Sequence, residues 1–295
     1  MSVAAAPPLA PVAVPPVARV VARREMLHAL VRSKTFIVGM VIIVWWVFCA
    51  FLGSTIAPND PLNQTSSVLA SPSGAHLFGT DQLGRDVLSR VFAGARSILI
   101  AAPLATLIGL VAGTSLGLIM GYFRGAVDDV ISRILDALLS IPLIVLAVAI
   151  VVSLGESTAT TIIVVGVLFT PLIGRTIRAA VLAERELDYV PAARLRGERA
   201  PYVMFVEILP NIMGPIIVEA TVRLGYAIFT IAGLTFLGFG VQPPSPDWAL
   251  QIADNYTLLA TGTYWWTVLF PALAIGSLVI AINLVADGLA QVLDR

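Results

Sequence analysis

The sequence predicts an all-α, polytopic membrane protein with six transmembrane helices and both termini in the cytoplasm. Three observations carry that expectation. Hydrophobic residues make up 58% of the 295-residue chain and charged residues only 12%. Soluble domains carry about 25% charged residues, so there are too few charges here to cover a water-facing surface. The apolar residues gather in six runs of roughly 20 residues, the length that crosses a bilayer. Basic residues concentrate in alternate connecting segments, as the positive-inside rule requires.

Residues 1–30 are Ala/Pro-rich, and Pro7, Pro8, Pro11, Pro15 and Pro16 favour an extended, disordered cytoplasmic tail. No basic n-region opens the chain, so a signal peptide is not expected. Run one covers 35–56 and follows Arg19, Arg23, Arg24, Arg32 and Lys34. No further Lys or Arg occurs before Arg85, which places the N-terminus inside. A polar external segment, 59–97, carries the turn Ser71-Pro72-Ser73-Gly74, and 31–97 is read as one unit. The remaining 98–295 is read as a five-helix core. Run two, 98–122, returns inward to a short loop holding Arg124, Asp128, Asp129 and Arg133. Run three, 134–154, ends at a tight turn, Gly155-Glu156-Ser157, and run four covers 158–176. The most charged stretch follows, with Arg175, Arg178, Arg185, Arg194, Arg196 and Arg199, and is expected inside. Run five covers 212–239. An external proline-bearing segment, 241–264, precedes run six, 265–286, which Trp265 and Trp266 anchor at the interface. Arg85, Arg90 and Arg96 run against the charge bias, but the internal segments hold most of the basic residues.

Several chemistries are excluded or disfavoured. The net charge is zero, so no bulk attraction to nucleic acid is expected. Cys49 is the single cysteine, which rules out an intrachain disulfide. A P-loop needs Gly-x-x-x-x-Gly-Lys-Ser/Thr to cradle phosphates, yet the only lysine, Lys34, follows Arg32-Ser33. The stretch Gly113-Thr114-Ser115-Leu116-Gly117 fits a nucleophile-elbow pattern, but it lies inside run two and no histidine lies in a span. Its glycines belong to the series Gly109, Gly113, Gly117 and Gly121, whose spacing puts them on one helix face suited to close packing. His76 with Asp81 is too sparse for a metal site, and none is expected.

The charged loop, about 179–210, is the most informative feature. It reads Asp188-Tyr189-Val190-Pro191-Ala192-Ala193-Arg194-Leu195-Arg196-Gly197, followed by Ile208-Leu209-Pro210. Asp188 suits a helix cap, Pro191 a first turn and Gly197 a helix end. The expected product is a short helix across the membrane base with a basic face. Elsewhere, Glu219 and Arg223 lie one turn apart in run five and are candidates for the solute pathway or for a structural ion pair. Asp81, Arg85, Asp86 and Arg90 have the spacing of a helix with i,i+4 pairs and could form an external docking surface.

The loop resembles the EAA loop of binding-protein-dependent ABC importer permeases. Ala192, Ala193, Gly197, Leu209 and Pro210 match that pattern, while Pro191 stands where the family has Glu. The segment from His76 to Arg90 (His-Leu-Phe-Gly-Thr-Asp-Gln-Leu-Gly-Arg-Asp-Val-Leu-Ser-Arg) resembles the second permease subunit of dipeptide/oligopeptide and nickel importers. So do Phe236-Leu237-Gly238-Phe239-Gly240-Val241-Gln242-Pro243-Pro244 with Trp248, Trp265-Trp266 with Phe270-Pro271, and Asn283-Leu284 with Asp287-Gly288-Leu289. The resemblance implies a type I ABC importer permease fold in the cell membrane, half of a solute pathway, and no enzyme activity. It implies as partners a second homologous permease, two P-loop ATPase subunits or domains that bind ATP and Mg, and an external solute-binding protein that Gln242 and Trp248 would help to dock. It makes the loop from Asp188 to Pro210 the ATPase-coupling element, with Tyr189 and Arg194 on its helix. Ile231 occupies a place where family members often carry an acidic residue. Short peptides are the first expected solute, nickel or another small solute the alternative. An ion-coupled transporter is the competing class, but no internal repeat is visible. An intramembrane hydrolase is disfavoured by the missing histidine.

Overall fold

The computed structural model describes residues 30–293. The expected disordered tail therefore lies outside the described residues, apart from Leu30, which is buried in a short helical turn. Nine helices are named here, all within the described residues. They are α1 (Lys34–Ile56), α2 (Val87–Phe123), α3 (Gly125–Leu139), α4 (Leu143–Leu154), α5 (Thr158–Arg185), α6 (Tyr189–Leu195), α7 (Met213–Phe236), α8 (Trp248–Asn255) and α9 (Trp266–Leu293). Short helical turns, Ala200–Tyr202 and Leu209–Asn211, flank a π-helical turn, Val203–Ile208. Among the described residues the only β pairing is an isolated bridge between Thr80 and Asp86.

Five helices (α1, α2, α5, α7 and α9) are long and apolar enough to cross a bilayer, and α3 with α4 makes a sixth crossing bent by 87°. The expected straight run 134–154 is thus two helices. Pro142 lacks an amide donor and its ring disfavours helical geometry at Ile141, so the chain breaks at Ser140-Ile141-Pro142.

Close approach sets the packing. A Cβ on Gly109 would lie 2.8 Å from the Gly166 carbonyl, on Gly113 2.6 Å from Ile173 Cβ, on Gly117 2.7 Å from Ile177 Cβ and on Gly121 2.6 Å from Val181 Cγ1. The four glycines are buried along the α2–α5 seam. The paired numbers rise together, so α2 and α5 run parallel. The bent α3–α4 pair must therefore carry the chain back across between them. The first helix packs antiparallel to two neighbours. Gly39 meets Ala281 and Gly288 meets Phe36, tying α1 to α9, while Gly53 meets the Phe92 carbonyl of α2. One end of the bundle thus carries α6, and the other carries α8 and the segment before α2.

That second end differs from the expectation. Residues 87–97 do not form part of a loose polar segment. Asp86 caps α2, its carboxylate accepting from the Ser89 amide at 2.9 Å and the Ser89 hydroxyl at 2.6 Å. At 37 residues, α2 is about 55 Å long, so it overshoots a ~30 Å hydrocarbon core. The overshoot carries Arg90 and Arg96, which is why polarity hid it. Trp248 seats α8 against it: the indole is buried, donates to the Val91 carbonyl at 2.7 Å and packs edge-on to Trp46 at 4.7 Å. Trp248→Ala is expected to lower stability by about 3–5 kcal/mol. The thermal midpoint of the detergent-purified chain checks this, and an unchanged midpoint would refute it.

Candidate functional site

Three groups of residues are candidates for function. At one end, α6 stands between α5 and the π-helical turn. Helix α5 runs to Arg185, so Arg175, Arg178 and Arg185 sit on a helix and not in the loop. Arg178 grips Asp128 of α3 through two contacts of 2.5 Å, and Arg185 donates to the Tyr122 carbonyl at 2.5 Å. Asp188 is the N-cap residue of α6, yet its side chain makes no capping bond, a correction to its expected role. Its backbone is already αR, which turns the carboxylate away from the first amides. Pro191 sits within the first turn, where its missing amide costs nothing. Val190 and Ala193 are fully buried and anchor the helix inward. The helix ends at Gly197, whose φ of +83° is a left-handed cap that glycine adopts freely. The Gly197 amide donates to the Arg194 carbonyl at 2.9 Å and the Glu198 amide to the Ala193 carbonyl at 3.2 Å, the Schellman pattern.

Side chains brace this helix. The Tyr189 hydroxyl donates to Glu184 Oε1 at 2.9 Å; burial, before all else, pushes its pKa up to about 12, so the group stays protonated. Arg194 lies over the Tyr122 ring at 4.6 Å and Arg196 pairs with Glu207 at 2.9 Å. Leu209 is half-buried and Pro210 exposed, beside the π-helical turn. The face is therefore not simply basic. Ala192 and Pro191 are exposed, and Leu195 is 90% exposed. Leu195 is the most exposed large hydrophobic side chain among the described residues, and nothing in its spacing along the chain signals this.

The second group is the Glu219–Arg223 pair. Arg223 Nε donates to Glu219 Oε1 at 2.6 Å, and both side chains are largely buried. The guanidinium also lies 5.5 Å from the Tyr226 ring. The pair sits in the half of α7 nearer α6.

The third group was expected to be a docking surface. Asp81, Arg85, Asp86, Arg90 and Trp248 are instead buried, and of the six residues named only Gln242 is exposed. Asp81 folds a turn, not a helix. Its carboxylate accepts from the Leu83 and Arg85 amides at 2.9 Å and from Arg85 Nε at 2.7 Å. Arg85 reaches Asp254 at 3.2 Å, Asp86 takes His76 Nδ1 at 2.9 Å, and fully buried Arg90 donates to the Ser245 carbonyl. Gly79 and Gly84 have φ of +72° and +73°, and a Cβ on either would strike backbone. Asp247, which caps α8, has its carboxyl raised above the ordinary range by burial, against the pull of Ser97 and the Ala249 and Leu250 amides. The conspicuous motif is a buried cap, tied by these ion pairs and hydrogen bonds to α8 and to the segment before it. No cluster of three or more metal-ligating side chains occurs among the described residues.

Residues 113–295 match the family described as binding-protein-dependent transport system inner membrane component, and residues 23–72 match the N-terminal TM domain of oligopeptide transport permease C. The chain is 40% identical over 278 residues to the dipeptide transport system permease protein DppC of Escherichia coli K12, covering 92% of each. It is 38% identical over 276 residues to the DppC protein of Alkalihalophilus pseudofirmus, covering 92% of this chain and 89% of the relative. It is 34% identical over 273 residues to the glutathione transport system permease protein GsiD of Pectobacterium atrosepticum, covering 92% and 90%.

Proposed function

This chain belongs to the family of binding-protein-dependent transport system inner membrane components, and from that membership we propose that it is the permease subunit of an ABC importer that forms half of a path for short peptides. The observation that carries the reading is the match to dipeptide and di/tripeptide permeases over nearly the whole chain. The protein is a multi-pass membrane component of a transport system and not itself the ATPase. Its partners in this reading are a second related permease, two ATPase subunits or domains holding ATP and Mg, and an external binding protein that delivers the peptide. In this reading the start of α1, the end of α9 and α6 face the cytoplasm.

The mechanism follows from the lever. When the ATPases close on ATP, they displace α6. Ala193 and Val190 are buried against the bundle, and the Asp128–Arg178 clamp fixes α5 to α3, so the displacement reaches α2, α3 and α5 as a body. The path between the two permeases then turns outward, and hydrolysis resets it. Leu195, Pro191 and Ala192 are the contact with the ATPase. Apolar contact suits the Pro that stands in place of the family Glu, since it needs no polar partner.

A gentle detergent pull-down tests this. The wild-type chain is expected to bring down a second six-helix permease and P-loop ATPases. Leu195→Asp places a charge in the apolar contact, which costs roughly 1–3 kcal/mol at an interface anchor. It is expected to lose the ATPases and keep the other permease. Recovery of the wild-type chain alone would contradict the importer reading; undiminished ATPase recovery with Leu195→Asp would contradict the assigned contact.

A further inference from the structure

We propose that Asn283, Tyr226 and Phe229, bordered by the Glu219–Arg223 pair, form a mid-depth station in the solute path that holds the main chain of a short peptide. The proposal rests on the importer reading above and assigns residues to it. Along α7, positions 219, 222, 223, 226 and 229 recur at three- and four-residue spacing and so share one face. Facing them on α9 are Val279 and Asn283. Val222, Gly225, Tyr226, Phe229, Val279 and Asn283 line one cavity of about 240 Å³, near the middle of both helices. Tyr226 is 57% and Phe229 69% exposed, and Asn283 is exposed as well. A Cβ on Gly225 would lie 3.5 Å from Asn283 Oδ1, so the carboxamide rests over bare backbone.

Hydrocarbon cannot occupy this face comfortably. The Asn carboxamide carries two N–H donors and a carbonyl acceptor, and lipid satisfies neither. The contrast is on the same molecule: the cavity on the outer side of α1 is lined by Val31, Phe36, Ile37, Met40, Val41 and Val44 alone, the surface a lipid chain would cover. The α7–α9 face must therefore meet water or another polar surface. A peptide fits its chemistry. The carboxamide is a side-chain copy of a peptide group, able to donate to and accept from any peptide bond whatever the side chains. The two rings accept apolar side chains of varied shape. The Glu219–Arg223 pair lies on the same face of α7, with its charges largely buried and satisfied by each other, and so borders the station on the α6 side. Recognition of main chain, with tolerant aromatic walls, serves a path that must pass many sequences.

The test uses the complete transporter with its binding protein in liposomes, in a Cys49→Ala background. Val279→Cys lines the cavity without donating or accepting there and serves as the reporter for a hydrophilic thiol reagent. Labelling is expected in at least one nucleotide state. Alanyl-alanine at ten times its Kd is expected to slow it by about tenfold. Adding Asn283→Leu should abolish that protection and Asn283→Gln should retain most of it. Absence of labelling in every nucleotide state would place this face against the second permease and overturn the proposal. Labelling that alanyl-alanine leaves unchanged, in a reporter that still takes it up, would also overturn it. Wild-type liposomes that take up no peptide would overturn the importer reading itself, a separate and visible failure.

Discussion

Replacing Gly117 with leucine is expected to remove the assembled transporter from the membrane. A Cβ at this position would lie 2.7 Å from Ile177 Cβ, 2.8 Å from the Gly174 carbonyl and 2.9 Å from the Arg178 amide nitrogen. Two of those neighbours are backbone, which cannot swing aside. The helices must separate, and separation propagates because Gly109, Gly113 and Gly121 make equally close contacts along the same seam. Overpacking costs typically 1–3 kcal/mol and occasionally more. Against a total stability of about 5–15 kcal/mol, that is a large fraction. Gly276→Ala is the matched control, because nothing lies within 4 Å of its added Cβ. Membrane abundance and the elution profile of the purified complex check the pair. Normal assembly of Gly117→Leu would contradict the parallel α2–α5 seam as the structural spine.

Replacing Gly197 with valine is expected to act differently: the complex assembles and hydrolyses ATP, but uptake falls. There is open space around Gly197, so no clash arises. The penalty is conformational. At φ +83°, a β-branched residue meets the steric cost of the left-handed region, about 1–2 kcal/mol. The Schellman cap that ends α6 is then strained, and the ratio of formed to unformed lever falls by roughly five- to thirty-fold. Asn tolerates this backbone region, so Gly197→Asn should keep most of the uptake. Measuring ATPase activity and peptide uptake on the same liposomes separates coupling from assembly. Wild-type uptake by the valine variant would contradict the lever role of α6.

The architecture was legible wherever one signal dominated. Long apolar runs placed the crossings, and the glycine series marked the α2 face, because hydrophobicity and small-residue spacing are local properties of the chain. The short helix from Tyr189 to Leu195 was readable from Pro191 and Gly197, which act through backbone rules; Asp188 marks its start, but without the expected capping bond. Four features were not read, three of them for a tertiary reason. Helix α2 begins at Val87 and not near residue 98; its first turns bear Arg90, which is buried only once the chain folds, and the exposed Arg96. Asp81, Arg85 and Asp86 looked like a solvated helix face, since their spacing fits i,i+4 pairing. Arg85's partner Asp254 lies far along the chain, His76 folds back onto Asp86 from ten residues away, and the pairing Asp81–Arg85 forms across a turn. The bend at Pro142 was visible as a residue and passed over within an apolar run. The exposure of Leu195, Tyr226 and Asn283 depends on which faces remain uncovered after packing, and no sequence period carries that information.

The most direct test of the central claim is uptake by liposomes containing this chain with its co-purifying permease and ATPases, supplied with the external binding protein and a labelled dipeptide. The account predicts accumulation that requires internal ATP and the binding protein together, and that a proton or sodium gradient cannot replace. Accumulation driven by an ion gradient with this chain alone, and indifferent to ATP, would contradict it.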